Sequence, residues 1–446
     1  MKMRHRDAVL VLVVLILSIV LLVVPSGFES PFAQDVERLR GQVLEMDNSN
    51  VLQFGIVKTG SQTLRVRILD GPHAGQEVEA DNNLLGKMDI DKLFKVGDTA
   101  FLVIDLDGDR LVSATAYDHY RLDTELLLFA LFAALLICFA GWSGVRALLS
   151  FVFAVLLIWK VLVPNILLGR DPIGVAIAVV TVMTAATLYL VAGVNKTALV
   201  AFLGSLLGVV LTCGLAMVLF PSFHLHGAIQ PFSETVLYSG FPHLDLNRVF
   251  LAAIFIGASG AVLDVAIDVS TAMNEVVEKR PDLSRKELIR SGLVVGRNMT
   301  STMVTTLLMA YVSGYIALLM MFVGRGIPPI SLLNTNYVAA EILKTIVGSF
   351  GLVTVAPFTA IIGGLIYRKT EAYMTQDRIS PDPILFKIGA SRCDLRVGDR
   401  VTPETTVGED FETGETVKAG CHGRVEGISF IADDHALVVV IRPADQ

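Results

Sequence analysis

The sequence predicts a polytopic α-helical membrane protein of about eight transmembrane helices, carrying an outer small β-barrel (OB-like) domain and a cytoplasmic small β-domain. Three observations predict it. Of the 446 residues, 53% are hydrophobic and only 18% are charged, whereas a soluble domain carries roughly 25% charged residues. The apolar residues collect into eight stretches, each close to the roughly 20 residues that span a hydrocarbon core about 30 Å thick. Two remaining segments instead show short alternating runs punctuated by Gly-rich turns, the pattern of strands. The same composition excludes disorder, collagen, coiled coil and a disulfide scaffold.

The stretches run Ala8–Val24, Glu125–Gly141, Val145–Val163, Pro172–Val194, Thr197–Phe220, Val249–Met273, Gly292–Val323 and Glu341–Tyr367. The first follows Lys2, Arg4 and Arg6 and could be a signal peptide. It lacks a small-residue cleavage site at Val24-Pro25-Ser26, so it is read as an uncleaved anchor. Lys and Arg in the short loops set orientation. With the N-terminus in the cytoplasm, the inner loops hold 13 of them and the outer loops 4 (Arg170, Arg248, Arg325 and Lys344). The expectation is a plasma-membrane protein with eight spans and both termini cytoplasmic. Its domains are residues 1–24 (N-terminus and anchor), 25–123 (extracytoplasmic β-domain), 124–370 (seven-helix membrane domain) and 371–446 (cytoplasmic β-domain).

The outer segment shows six strand-like runs, GQVLEM, FGIVKT, TLRVRIL, GQEVEA, TAFLVIDL and RLVSATAY. Its 10 Lys and Arg stand against 17 Asp and Glu. That balance repels phosphate, so nucleic acid is not an expected partner although OB-folds often bind it. Asp105, Asp107 and Asp109 lack the Gly and Glu spacing of a calcium loop and read as a hairpin turn. The tail from Ile384 to Pro443 has the rhythm of the barrel-sandwich folds of lipoyl carriers, but Lys418 is not placed as their modified lysine is. Cys393 with Cys421-His422, and His224, His226 and His243 with Asp245, are scattered sets; neither has metal-ligand spacing, and no metal or cofactor is expected.

Charge inside a bilayer is costly and marks function or a buried pair. On the sixth stretch Gly257, Ala261, Asp264, Asp268, Thr271 and Glu275 share one helix face. Its outer half, with Gly257, Gly260 and Ala261, is small enough for close helix packing. Asp264 lies about 14 residues, or about 21 Å, from the outer boundary. On the seventh stretch Asn298, Thr302 and Thr305 share a face, and Arg297 reaches the depth of the two aspartates, where an ion pair would spare both helices an unpaired charge. That stretch is 32 residues, about 48 Å as a helix. Either its first turns lie outside the membrane or it is broken near Gly314.

Two enzyme readings fail. GASG at 257–260 fits the GxSG of rhomboid-type proteases, but no His lies in a span to serve Ser259 as base. The GxGD of intramembrane aspartyl proteases is absent. The leading expectation is a permease-like protein moving an ion or small solute. In it Asp264 and Asp268 act as cation or proton ligands, Arg297 as counter-ion, and Asn298, Thr302 and Thr305 as hydrogen-bonding lining. The alternatives are a structural clamp between two helices, and a non-transporting scaffold or signalling protein whose β-domains bind protein partners.

The runs GQVLEMDNSN, GIVKTGSQTLRVRIL, GASGAVLDVAIDVS, GRNMTSTMVTTLLMAY and AAEILKTIVGSFGLVTVAPFTAII resemble the YibE/F-like family of bacterial membrane proteins, from about Gly41 to about Tyr367. The family pattern has Asp after the seventh-span Arg, and Asn298 stands there in this chain. The resemblance implies the topology above and carries no activity with it.

Overall fold

The computed structural model describes residues 5–28, 36–107, 110–367, 384–389, 393–410, 413–431 and 436–443. By contacts the chain divides into two compact units, Met1–Gly363 and Gly364–Gln446.

The first unit opens with helix α1 (His5–Val23) and continues into six strands: β1 (Val36–Asp47), β2 (Val51–Phe54), β3 (Val57–Ile68), β4 (Glu77–Leu85), β5 (Thr99–Asp107) and β6 (Arg110–His119). Five of them close a barrel in the order β1-β5-β6-β4-β3, with β3 returning to β1 and β2 extending β3 as a hairpin. β4 and β6 pair in parallel, and the other pairings are antiparallel. Alternation carries Leu64, Val66, Ala80, Leu84, Leu102 and Ile104 inward, each at most 5% exposed. The runs read as two strands, FGIVKT and TLRVRIL, share β3: FGIVKT starts at the end of β2 and enters β3 at Val57, and TLRVRIL continues it. Gly60 lies inside β3 at φ +103°, which glycine adopts freely, and its missing Cβ leaves room for the Asn50 carbonyl. Asp107 opposes Arg110 in the β5–β6 register, as a two-residue hairpin requires; Gly108 and Asp109 of the predicted turn lie outside the described residues.

One polar pair is turned into the barrel. Gln62 and Asn82 are fully buried. Gln62 Oε1 accepts from Phe94 N (3.0 Å) and Asn82 Nδ2 (3.1 Å), and its Nε2 donates to Phe94 O (2.9 Å) and Asn48 Oδ1 (2.8 Å). Asn82 Nδ2 also reaches Lys92 O at 2.7 Å. The loop between β4 and β5 is thereby fastened across the barrel, and Phe94 becomes part of its core.

The remaining helices of the unit are α2 (Leu122–Ala140), α3 (Trp142–Leu157), α4 (Pro172–Ala192), α5 (Lys196–Leu219), α6 (Leu246–Lys279), α7 (Arg285–Ser313), α8 (Ile316–Gly324) and α9 (Asn336–Ile366). Among the described residues seven helices are long and apolar enough to cross a membrane, or eight if the α7–α8 pair, bent by 70°, is one span. Their starts are set by side chains that accept first-turn N–H groups: Asp171 for α4, Asn195 for α5, Asp245 for α6, and Ser284 with Glu287 as a capping box for α7. α3 runs on through a π-turn, Ile158–Leu162, into Val163–Leu167. Pro164 explains it, because its ring displaces the carbonyl four residues back and leaves no N–H for it.

α5 and α9 cross closely along small residues. Gly204 faces Thr359, Gly208 faces Val355, and Gly351 faces Thr212. The four-residue steps on both helices give an antiparallel seam in which each glycine admits the partner's side chain.

The second unit holds β7 (Ile384–Gly389), β8 (Arg400–Val401), β9 (Thr406–Glu409), β10 (Thr416–Lys418), β11 (Gly423–Ile431) and β12 (Ala436–Pro443). They form a four-stranded sheet, β7-β12-β11-β8, and a β9–β10 pair around Ile388, Val401, Val407, Val425, Val439 and Ile441.

Candidate functional site

α6 lies at the centre of the membrane domain and buries one side: Leu251, Phe255, Ala258, Val262, Val265, Ala266, Val269 and Met273. The opposite stripe stays open. Gly257, Gly260, Asp264, Thr271 and Glu275 are exposed and Ala261 and Asp268 half-buried. Close packing was expected at Gly257, Gly260 and Ala261. It occurs only at Gly257, where a Cβ would come within 2.6 Å of Tyr311 Oη, and Gly260 has nothing within 4 Å of that position. The apolar side of α6 takes the neighbouring helices, so the tight glycines of the bundle are Gly204, Gly208, Gly292, Gly296 and Gly351 instead.

α7 packs antiparallel to α6. Gly292 meets Met273, Gly296 meets Val269, and Tyr311 meets Gly257. On that register Asp268 is level with the turn of Arg297 and Asn298, and Asp264 is level with the turn of Thr302. The expected ion pair does not close: among the described residues no carboxylate lies within 4.0 Å of Arg297. Arg297, Asn298, Thr302 and Thr305 are all exposed. The buried stripe of α7 is Leu288, Gly292, Gly296, Thr300 and Leu307, and it is this stripe that seats the helix against α6 and α9. Ser301 and Thr302 bond back to their own helix, at Asn298 O (2.8 Å) and Met299 O (3.0 Å).

The 70° bend between α7 and α8 falls at Gly314–Tyr315, near the position of the break that was one of the two arrangements the length of this stretch allowed. Beside it lies a buried ion pair that sequence reasoning missed. Lys344 Nζ is 2.7 Å from Glu341 Oε1, with side chains 15% and 10% exposed, and the ammonium sits 5.3 Å from the Phe250 ring centroid. Glu341 and Tyr315 line a cavity of about 210 Å³ walled by Leu308, Val312 and Leu319. The Tyr311 hydroxyl, one turn before the break, is buried with no hydrogen-bond partner. The available signal was Glu341 and Lys344 at i, i+3 on an otherwise apolar helix.

The remaining sequence readings resolve into structural roles. Ser259 is buried and donates to Ile256 O at 2.7 Å. Asp245 caps α6, and His243 Nε2 contacts Leu167 O at 3.0 Å. Next to them Arg248 Nε lies 2.6 Å from Asp171 Oδ1. This hydrogen bond first, then the Gly174 N–H, holds the Asp171 carboxyl below the ordinary aspartate range. Thr181 bonds back to Ile177 O, and Thr187 meets Ser150 of α3 at 2.7 Å. Cys393 and Cys421 pack against the core of the second unit, and Lys418 pairs with Glu404. Among the described residues no three His, Cys, Asp or Glu side chains converge as metal ligands.

Comparison with known families matches residues 39–119 to the YibE/F family N-terminal domain and residues 128–369 to YibE/F-like protein. Comparison with curated proteins and with solved structures returned no match. The first match covers the closed barrel, and the second covers the helices that carry the open α6 stripe, the broken span and the Glu341–Lys344 pair. The chain belongs to the YibE/F-like family.

Proposed function

We propose that the membrane domain is permease-like and moves an ion or small solute along the exposed stripe of α6, beside α7. The observation that carries this reading is the open stripe. Asp264 and Asp268 lie on the unpacked side of a helix whose other side is buried throughout, and no cation pairs with either among the described residues. Carboxylates within an apolar helix need water or a cation for company, and an unpacked stripe leaves room for either. Asp264 and Asp268 serve as ligands for a cation or proton, and Asn298 and Thr305 line the path opposite. Arg297, level with Asp268 but unpaired, sets the local potential rather than neutralising a carboxylate. The break at Gly314–Tyr315 lets the end of the seventh span move without unwinding α7, as discontinuous helices do in transporters. The reading places the protein in the plasma membrane with both termini cytoplasmic and residues 25–123 outside. It treats the barrel as OB-like, in keeping with its single parallel strand pairing.

The test is flux in proteoliposomes. Asp264→Asn keeps size and polarity and removes the charge, and transport of the coupled ion should fall by at least about tenfold, the loss of one charged ligand. Unchanged flux in that variant, or none in the parent across common monovalent and divalent ions, overturns the reading. The scaffold alternative has its own support: the β2–β3 hairpin exposes Leu52, Phe54 and Ile56 at 56%, 66% and 79%. Such an apolar tip suits a protein partner.

A further inference from the structure

A large cavity lies away from the open stripe of α6. It is an open cleft of about 1340 Å³ where α1, the α2–α3 turn, the α4–α5 turn and the last turns of α6 meet. Arg6, Arg146 and Lys196 line it, together with Asp7 and Glu278. Both carboxylates are engaged by neutral donors. Asp7 Oδ1 accepts from Val194 N at 2.9 Å, and Glu278 Oε1 accepts from Asn274 Nδ2 at 2.7 Å. The cations are not so engaged. Among the described residues none is ion-paired; Arg146 spends one Nη on Ser143 Oγ at 3.0 Å, and its Nε is buried without a partner. Two long helices also begin at the cleft. α3 starts there at Trp142 with no side-chain cap, and α5 opens with Lys196 directly after its Asn195 cap.

We propose that this cleft binds a phosphate ester. Guanidinium groups with donors to spare and an ammonium are a set that recognises phosphate oxygens. A structure that leaves three cations unpaired while satisfying the nearby carboxylates is complementary to an anion. The cleft lies at the ends of apolar helices, the level at which lipid headgroups sit. The phosphate therefore comes either from an anionic headgroup or from a soluble ester.

Trp142 lines the cleft and is one of two tryptophans in the chain. In a Trp159→Phe background its fluorescence reports occupancy in the full-length protein. The probes are dioctanoyl phosphatidic acid, dioctanoyl phosphatidylcholine and glycerol 3-phosphate. Saturable binding of an anionic probe, with phosphatidylcholine about tenfold weaker or worse, is the expected result. Arg146→Gln and Lys196→Gln should each weaken binding about tenfold, as for one charge-assisted contact, while Arg146→Lys should retain most of it. Preference for the lipid over glycerol 3-phosphate assigns a headgroup, and equal affinity assigns a soluble ester. No saturable response to either anionic probe, equal response to phosphatidylcholine, or unchanged affinity in Lys196→Gln overturns the proposal. Should Arg146→Gln fail to fold, Lys196→Gln and the selectivity of the parent decide.

Discussion

The Glu341–Lys344 pair gives the sharpest energetic prediction. With side chains 10% and 15% exposed and 2.7 Å between the charged atoms, it is shielded from solvent by its neighbours. Removing one partner of such a pair leaves an uncompensated charge and costs about 3–5 kcal/mol, whereas removing both can be close to neutral. Lys344→Met preserves length and leaves the carboxylate alone, so it should lie in that range. It also loses the contact of the ammonium with the Phe250 ring, about 0.5–2 kcal/mol. Glu341→Gln keeps an oxygen acceptor for the ammonium and keeps that ring contact, so it should cost less than Lys344→Met. The double variant Glu341→Leu, Lys344→Leu should recover most of the loss. Unfolding in mixed micelles with a denaturing detergent reads all of these. A double variant as unstable as the sum of the two single ones would refute the reasoning, because it would show the two charges do not depend on each other.

Three further predictions follow from the packing. Gln62→Leu removes four hydrogen bonds inside the barrel and strands the Phe94 amide, a loss of about 3–5 kcal/mol at about 1 kcal/mol per bond plus an orphaned donor; amide hydrogen exchange in β3, β4 and the β4–β5 loop should accelerate, and unchanged protection would rule it out. Gly351→Val places a side chain where Thr212 already sits and should cost about 1–3 kcal/mol as an overpacked contact, while Gly260→Val, facing open space, should leave the melting temperature unchanged; equal shifts would discredit the α5–α9 seam. Asp171 has its pKa lowered by Arg248 and the α4 first turn, so its contribution is complete above its unfolded value of 3.8 and fades as pH falls through the lower folded value; an acid titration of stability should lose that component in Asp171→Asn, and identical acid profiles would contradict it.

Much of this was legible in the sequence, for identifiable reasons. Hydrocarbon thickness sets the length of a span, so eight apolar runs stand out, and a run of 32 residues is too long for one upright helix. The barrel strands betray themselves by alternation, except for β2, whose four residues are too short to show it. Periodicity put Asp264 and Asp268 on one face of α6 and Arg297 on α7. It could not say whether α6 and α7 approach closely enough to pair them, because that distance depends on Gly292, Gly296 and Thr300 on another stripe. Gly204 and Gly208 were available at four-residue spacing and went unread, since a glycine stripe beside aspartates on α6 drew the packing argument to the wrong helix. Lys344 was counted as a loop cation because charge near a span end ordinarily lies outside it.

The two groups of charge in this bundle meet opposite fates. On α9, Glu341 and Lys344 are one turn apart on the same helix, so the pair closes without help from any other element, and the apolar surroundings can then seal over it. On α6, Asp264 and Asp268 carry the same sign at i, i+4, and such a pair raises the energy of its own helix. Only a third group can relieve that, and Arg297 on α7 is level with them yet unpaired. A helix built solely for stability gains nothing from two adjacent carboxylates on its one unpacked face. Leucine at both positions would serve packing against lipid better. On the proposed reading the relieving charge arrives from outside the chain and leaves again, as a coupled cation or proton does, so the flux of Asp264→Asn, rather than its stability, is the measurement that tests it.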